Sequence, residues 1–304
     1  MSEILARRRP DLVIGNDGSA EASFVRAREL GIPTLLNQVI GHDAVGSAIL
    51  TEEYRRDPDF AAGPPRASGE AAIETRRREA LLAGGLLAPS DYVRETLIEV
   101  GVAPERIFLL PYGVDTARFR PPPVARDRAG PLRLLYVGRI EQRKGLRYLL
   151  EAMKAVPRGT AELTLVGNPL VPEAALAPYR ELFRQLPNQP YHRIHEVFAE
   201  ADAFVYPSLH EGSALAVYEA LASGLPVIST RNAGSVVRDA KEGYLVPIRD
   251  SEALAERIGR LAGDENLRRR MAAAARARAE TYTWARYAET LNGIVRTMLA
   301  GPKP

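Results

Sequence analysis

One repeated unit narrows what this chain can fold into: a short apolar run, a turn containing Gly or Pro, then a helical pattern. Apolar runs without strict alternation suit strands buried on both faces, and strands that alternate with helices build parallel sheets covered on both sides. In the first third, strands are expected at residues 11–16 (DLVIGN), 33–40 (PTLLNQVI), 86–88 and 106–110 (RIFLL). Helices are expected between them at 19–30, 74–82 and 90–100, with Ser90 as an N-cap and a Pro/Gly-rich loop at 57–70. Further on, strands are expected at 132–137, 163–166, 203–206, 226–229 and 244–248. Helices follow at 145–156, 194–201, 252–262 and from 264 onward, and Gly234-Ser235 is expected to open another. The prolines and turn formers of 111–131 mark a break. The chain therefore divides into a first domain at 1–115, a linker at 116–131, a second domain at 132–281 and a terminal helix at 282–304 that starts near Trp284. The fold class is α/β, with doubly wound parallel sheets.

Composition excludes several classes of function. With 304 residues, 46% hydrophobic and 26% charged, the chain can bury two cores. A net charge of +3, dispersed along the sequence, gives no case for a nucleic-acid partner. There is no cysteine, so neither disulfides nor thiolate metal sites can form. No apolar stretch is long enough to span a bilayer and no leader pattern opens the chain, so a cytoplasmic setting is expected. The runs at Arg7-Arg8-Arg9 and Arg268-Arg269-Arg270 are compatible with peripheral contact at an anionic inner membrane face, although such runs are usually solvated.

The chemistry centres on residues 203–224, AFVYPSLHEGSALAVYEALASG. Pro207 ends a wholly apolar strand, Glu211-Gly212-Ser213 is expected to open a helix, and Ser223-Gly224 closes it. A helix start carries unpartnered N–H groups and the positive end of the dipole, which together suit an anion. Glu211 stands just before that start and Glu219 two turns in. Spacing alone favours the bland account, a dipole-favoured Glu and an exposed one. Arg139 and Lys144 follow the strand at 132–137, where two cations could neutralise a diphosphate. Arg143 and Arg147 are expected to face solvent. His42 follows the second strand, at the end where α/β sheets place ligands. His192, His195 and His210 have no metal-ligand spacing, and Asp57-Pro58-Asp59 sits in loop composition unsuited to a metal-binding Asp-x-Asp pair.

Glu211, seven intervening residues and Glu219, preceded by a strand and Pro-Ser, resemble the E-x7-E signature of retaining glycosyltransferases of family 4. The segment LAPSDYVRETLIEVGVAPERIFLLPYGVDTARF resembles that family's interdomain link, and the resemblance runs from about residue 10 to the C-terminus. It implies a GT-B-like fold: two Rossmann-like domains, the first incomplete because the resemblance begins in mid-domain, with the terminal helix crossing back to the first. It implies a retaining hexosyltransferase that needs no metal or cofactor and moves a hexose from a nucleoside diphosphate sugar to the hydroxyl of an unknown acceptor. Arg139, Lys144 and the N–H groups of Ser213, Ala214 and Leu215 would bind the donor phosphates. Glu219 would bind the ribose, with Gly212 beside the sugar. Glu211 and His42 would act at the reacting sugar, and Gly167, Asn168 and Ile194 would lie on the nucleobase side. The alternative is a non-catalytic nucleotide-sugar-binding subunit that needs a partner for the missing half. An exposed edge strand at 11–16 would then invite self-association.

Overall fold

The structure is a computed structural model that describes residues 2–60, 69–122 and 130–301. Most of the expected 57–70 loop and residues 123–129 of the expected linker lie outside the described residues. The first domain contains α1 (Ser2–Arg8), β1 (Val13–Asn16), α2 (Glu21–Glu29), β2 (Thr34–Asn37), α3 (Asp43–Arg56), α4 (Glu70–Leu82), β3 (Gly85–Ala88), α5 (Asp91–Glu99) and β4 (Ile107–Leu109). Its four strands form one parallel sheet in the order β1-β2-β3-β4. The alternation of side chains across a strand divides the packing between two faces. Leu36 and Leu86 join Phe24, Val93 and Leu97 on the side of α2, α4 and α5. Leu35, Leu87 and Leu110 face the other way.

The second domain runs through β5 (Leu132–Val137), α6 (Leu146–Ala155), β6 (Ala161–Val166), α7 (Glu173–Leu176), β7 (Phe183–Leu186), α8 (Ile194–Glu200), β8 (Ala203–Tyr206), α9 (Leu215–Ala222), β9 (Val227–Thr230), β10 (Gly243–Val246), α10 (Ser251–Gly263), α11 (Glu265–Ala279) and α12 (Trp284–Ala300). Its six parallel strands lie in the order β10-β9-β8-β5-β6-β7. The order reverses direction beside β5, where a doubly wound sheet opens its ligand crevice. The last helix presents a narrow stripe, Tyr287, Leu291, Ile294 and Met298, to Leu35, Leu87 and Leu110 of the first sheet.

Local chemistry sets the boundaries. Ser90, Asp250 and Thr283 cap α5, α10 and α12 by accepting from the N–H groups of Val93, Ala253 and Arg286. The Glu79 carboxylate, buried in α4, accepts from the N–H groups of Gly18, Ala20 and Glu21 and so caps α2 from another helix. Two helix expectations need correction. Residues 234–242 form no helix: Gly234 ends a short 3-10 turn, and Arg238 reaches the fully buried Glu242. Helix α9 begins at Leu215, so Glu211 to Ala214 form an extended approach to it. Among the described elements, α1, α3, α7 and β7 escaped the sequence reading. The fully buried positions of α3 are Gly46 and Glu53, so its packed face carries no apolar signal. In β7, Arg184 and Gln185 interrupt the apolar pattern.

Candidate active site

The expected donor residues gather at the C-terminal ends of β5, β6 and β8. The loop after β5 carries Gly138, Arg139, Gln142, Arg143 and Lys144. It runs beside the loop after β6, where the Ile140 N–H donates to the Asn168 carbonyl at 3.1 Å and the Gly138 N–H to Val166 at 3.0 Å. Gly167 and Asn168 therefore flank the cations. From the β8 side, the Glu211 carboxylate touches the Lys144 ammonium, lies 3.3 Å from the Arg143 guanidinium and accepts from the Tyr206 hydroxyl at 3.4 Å. Arg139 is exposed and has no ion-pair partner among the described residues.

Electrostatics here follow from burial. Burial and the adjacent Arg143 push the Lys144 ammonium down to about 7, with the Glu141 carboxylate opposing that by favouring its charged form. Glu219, in the middle of α9, has no hydrogen-bond partner among the described residues, and burial pushes its carboxyl up to about 7. A carboxylate half-removed from water without a donor is poised to accept one from a ligand.

The first domain closes against this loop. The Gly41 N–H donates to the Glu211 carbonyl at 3.2 Å, and the Ser90 hydroxyl to the Gly212 carbonyl at 2.6 Å. Gly212 passes so near the first domain that a Cβ there would run into the Val39 carbonyl. His210 is buried in the boundary, its Nδ1 2.6 Å from the Tyr92 hydroxyl, and its ring fills space that a side chain at Gly46 would occupy. Burial pushes its imidazole down to about 4, so the ring is neutral at neutral pH.

Several expectations change. The Ala214 N–H donates to the Ala233 carbonyl and the Ser213 hydroxyl is shared between Tyr218 and the Gly234 carbonyl. Ala214 is thus not available to a phosphate, whereas Leu215, first in the helix and partly exposed, has no intrahelical acceptor. Ile194 is buried in the second core, so it does not present its side chain as the expected base contact. His42 is also buried. Its Nδ1 accepts from the Ala44 N–H and caps α3, and its own N–H donates to Thr96. Arg143 does not face solvent but binds Glu211, Glu141 and the His210 carbonyl, and Arg147 pairs with Asp57. Arg143, Tyr206, Tyr92 and His210 went unrecognised. Only Arg143 left a sequence signal, its place between two residues already singled out.

Two all-parallel α/β domains whose facing loops form a cleft define the GT-B class of fold. Residues 123–278, more than half of the chain, match the family described as glycosyl transferases group 1, and residues 1–113 match the glycosyl transferase 4-like domain. The chain belongs to the glycosyl transferases group 1 family. It is 28% identical over 275 residues to the putative colanic acid biosynthesis glycosyltransferase WcaL of Escherichia coli, covering 82% of this chain and 61% of that protein. It is 33% identical over 224 residues to the D-inositol 3-phosphate glycosyltransferase of Nocardia farcinica, covering 66% of this chain and 50% of that protein. The chain thus spans one-half to three-fifths of the length of these relatives. In fold it matches Anabaena HepE in complex with UDP, with a TM-score of 0.74 at 18% identity over 97% of this chain and 81% of that one. Sucrose-phosphate synthase from Thermosynechococcus elongatus gives 0.75 at 22% identity, over 98% and 76%. The match over residues 1–113 does not mark the first domain as shortened. Among the described residues, no helix is long and apolar enough to cross a membrane.

Proposed function

We propose that this chain transfers a hexose from a nucleoside diphosphate sugar to an acceptor hydroxyl, with retention of the anomeric configuration and without a metal. The observation that carries the reading is the group of three cations, Arg139, Arg143 and Lys144, on one loop against Glu211, with the unpartnered Glu219 on the neighbouring helix. A diphosphate entering this loop competes with Glu211 for Arg143 and Lys144. The exchange frees the Glu211 carboxylate for the sugar, to bind its hydroxyls or stabilise positive charge developing at C1. Arg139 and the Leu215 N–H complete the phosphate contacts, and Glu219 accepts from both ribose hydroxyls.

In the transfer, the bond between C1 and the diphosphate oxygen breaks and its electron pair leaves on the diphosphate. A bond from C1 to the acceptor oxygen forms on the same face, and the acceptor proton passes to a diphosphate oxygen. The cations stabilise the leaving charge in a site already arranged for it, which is the main electrostatic term. His42 acts through the position of α3. Relatives named as glycosyltransferases support the class, and HepE, a fold neighbour solved with UDP and with UDP-glucose, makes uridine the first base to try. The non-catalytic alternative has no observation of its own behind it. The exposed Ile14 on β1, at the sheet edge, is the support for self-association, which light scattering at micromolar concentration tests.

A thermal-shift panel of UDP-, GDP- and ADP-sugars, followed by a hydrolysis and transfer assay with the donor that stabilises most, tests the function. Stabilisation by one nucleoside diphosphate series together with release of its diphosphate is the expected result. Absence of stabilisation by every donor would overturn the reading.

A further inference from the structure

One buried carboxylate takes no part in the chemistry above. Glu53 lies in the last turns of α3 with only 2% of its surface exposed, and it meets three side chains of the second domain. One carboxyl oxygen accepts from the Gln142 side-chain amide at 2.6 Å and the Tyr148 hydroxyl at 2.9 Å, and the other from Nε of Arg249. Gln142 belongs to the loop that carries Arg139, Arg143 and Lys144. Its amide oxygen also accepts from the Arg147 N–H at 3.2 Å, so it braces the end of that loop at the start of α6.

The Arg249 side is built at a cost. Arg249 follows β10 with φ +68, left-handed backbone that a non-glycine residue rarely adopts. Its guanidinium also pairs with Glu52 at 2.9 Å and donates to the Ile49 carbonyl at 3.3 Å, so it is tied along a full turn of α3. Beyond Glu53, Asp57 pairs with Arg147 and Phe60 inserts into the second core edge-on to Tyr179. A buried ion pair is seldom more stabilising than apolar packing of the same volume, so stability alone is a weak reason for one in a domain boundary. What it does supply is a single allowed geometry, because a carboxylate held by three donors fixes both domains at once.

We propose that Glu53 is a positioning residue that locks the two domains in the closed arrangement and, through Gln142, sets the loop that binds the donor diphosphate. The second half rests on the transferase reading, and the first does not. In its absence the domains sample open arrangements and the three cations lose their common aim.

The chain has no cysteine, so Glu29→Cys and Arg158→Cys, one exposed site on each domain, accept a pair of spin labels without background. Pulsed electron resonance on the labelled full chain is expected to give one narrow interdomain distance. Adding Glu53→Gln should broaden it toward longer distances, and UDP affinity measured by calorimetry should fall about tenfold. Arg249→Gly keeps the proposal testable if Glu53→Gln does not fold, because glycine accepts the left-handed backbone while removing the guanidinium. It should broaden the distance in the same way with little change in melting temperature. An unchanged distance in either folded variant overturns the lock. Broadened distances with unchanged UDP affinity overturn the link to the loop. If the transferase reading itself fails, the distances still broaden while no donor is turned over, so the two failures are distinguishable.

Discussion

On the second domain the cleft wall is made of charges set by short local loops: Arg139, Arg143 and Lys144 within six residues, and Glu211 and Glu219 within nine. On the first domain it is made of backbone and buried polar contacts, with Gly41, Ser90 and Tyr92 against 210–212 and Glu53 against Gln142, Tyr148 and Arg249. In the proposed function one wall supplies the reacting electrostatics and the other supplies position. The difference teaches that a site's chemistry can be carried by one domain while its geometry depends on the other, and substitutions on the two walls should fail in different ways.

The largest effect is expected on the chemical wall. Glu211→Gln should cut transfer by about a hundredfold or more, the scale of removing one preorganised electrostatic stabiliser. Binding of the bare diphosphate should hold or improve, because Lys144 and Arg143 lose their competing carboxylate. Steady-state kinetics beside calorimetry checks the split, and equal losses in both would erase the division between the walls.

Next comes the positional wall. His210 titrates at about 4 in the folded chain against an ordinary 6.5, so its contribution to stability is complete above pH 6.5. It is lost as pH falls from 6.5 through 4, where the unfolded chain takes up the proton first. The full span corresponds to about 3 kcal/mol. Arg143, Lys144, Asp43 and Tyr92 face the ring, and buried His42 titrates in the same sense. The difference between the parent and His210→Gln in urea unfolding from pH 7 to 4 therefore isolates the residue. A flat difference would remove it from the boundary.

Arg139→Ala and Lys144→Ala should each weaken nucleoside diphosphate binding about tenfold or more, as for a charge-assisted hydrogen bond worth roughly 1.5 to 3 kcal/mol. Unchanged calorimetric affinity in both would move the phosphates elsewhere. The smallest expected effect is at Glu219, whose carboxyl titrates at about 7. The affinity ratio of a ribonucleotide to its analogue lacking both ribose hydroxyls should rise from pH 6 to 8 as the acceptor ionises, and should stay level in Glu219→Gln. Taking the ratio cancels Lys144, which loses charge over the same range.

The sequence was legible where a residue's role depends on its immediate neighbours. The strand of 203–206, the cap at Ser90 and the cations after β5 all follow from local pattern. It was illegible where the partner is remote. Glu53 sits 89 residues from Gln142 and 196 from Arg249, and it occupies the packed face of a helix whose other fully buried position is glycine. No hydrophobic period could announce α3. The same applies to Glu79, which caps α2 from 58 to 61 residues away, and to His210, whose partner Tyr92 lies in the other domain. The start of α9 was misplaced because the Ala214 N–H finds its acceptor in Ala233, a contact between two loops.

The account centres on retaining transfer from a donor held by the second domain. Its most direct test is proton NMR of the sugar released when the chain hydrolyses the α-linked donor selected by thermal shift, read before the anomers equilibrate. The account predicts that the α-anomer forms first, with release slowed in Lys144→Ala. First formation of the β-anomer would contradict it.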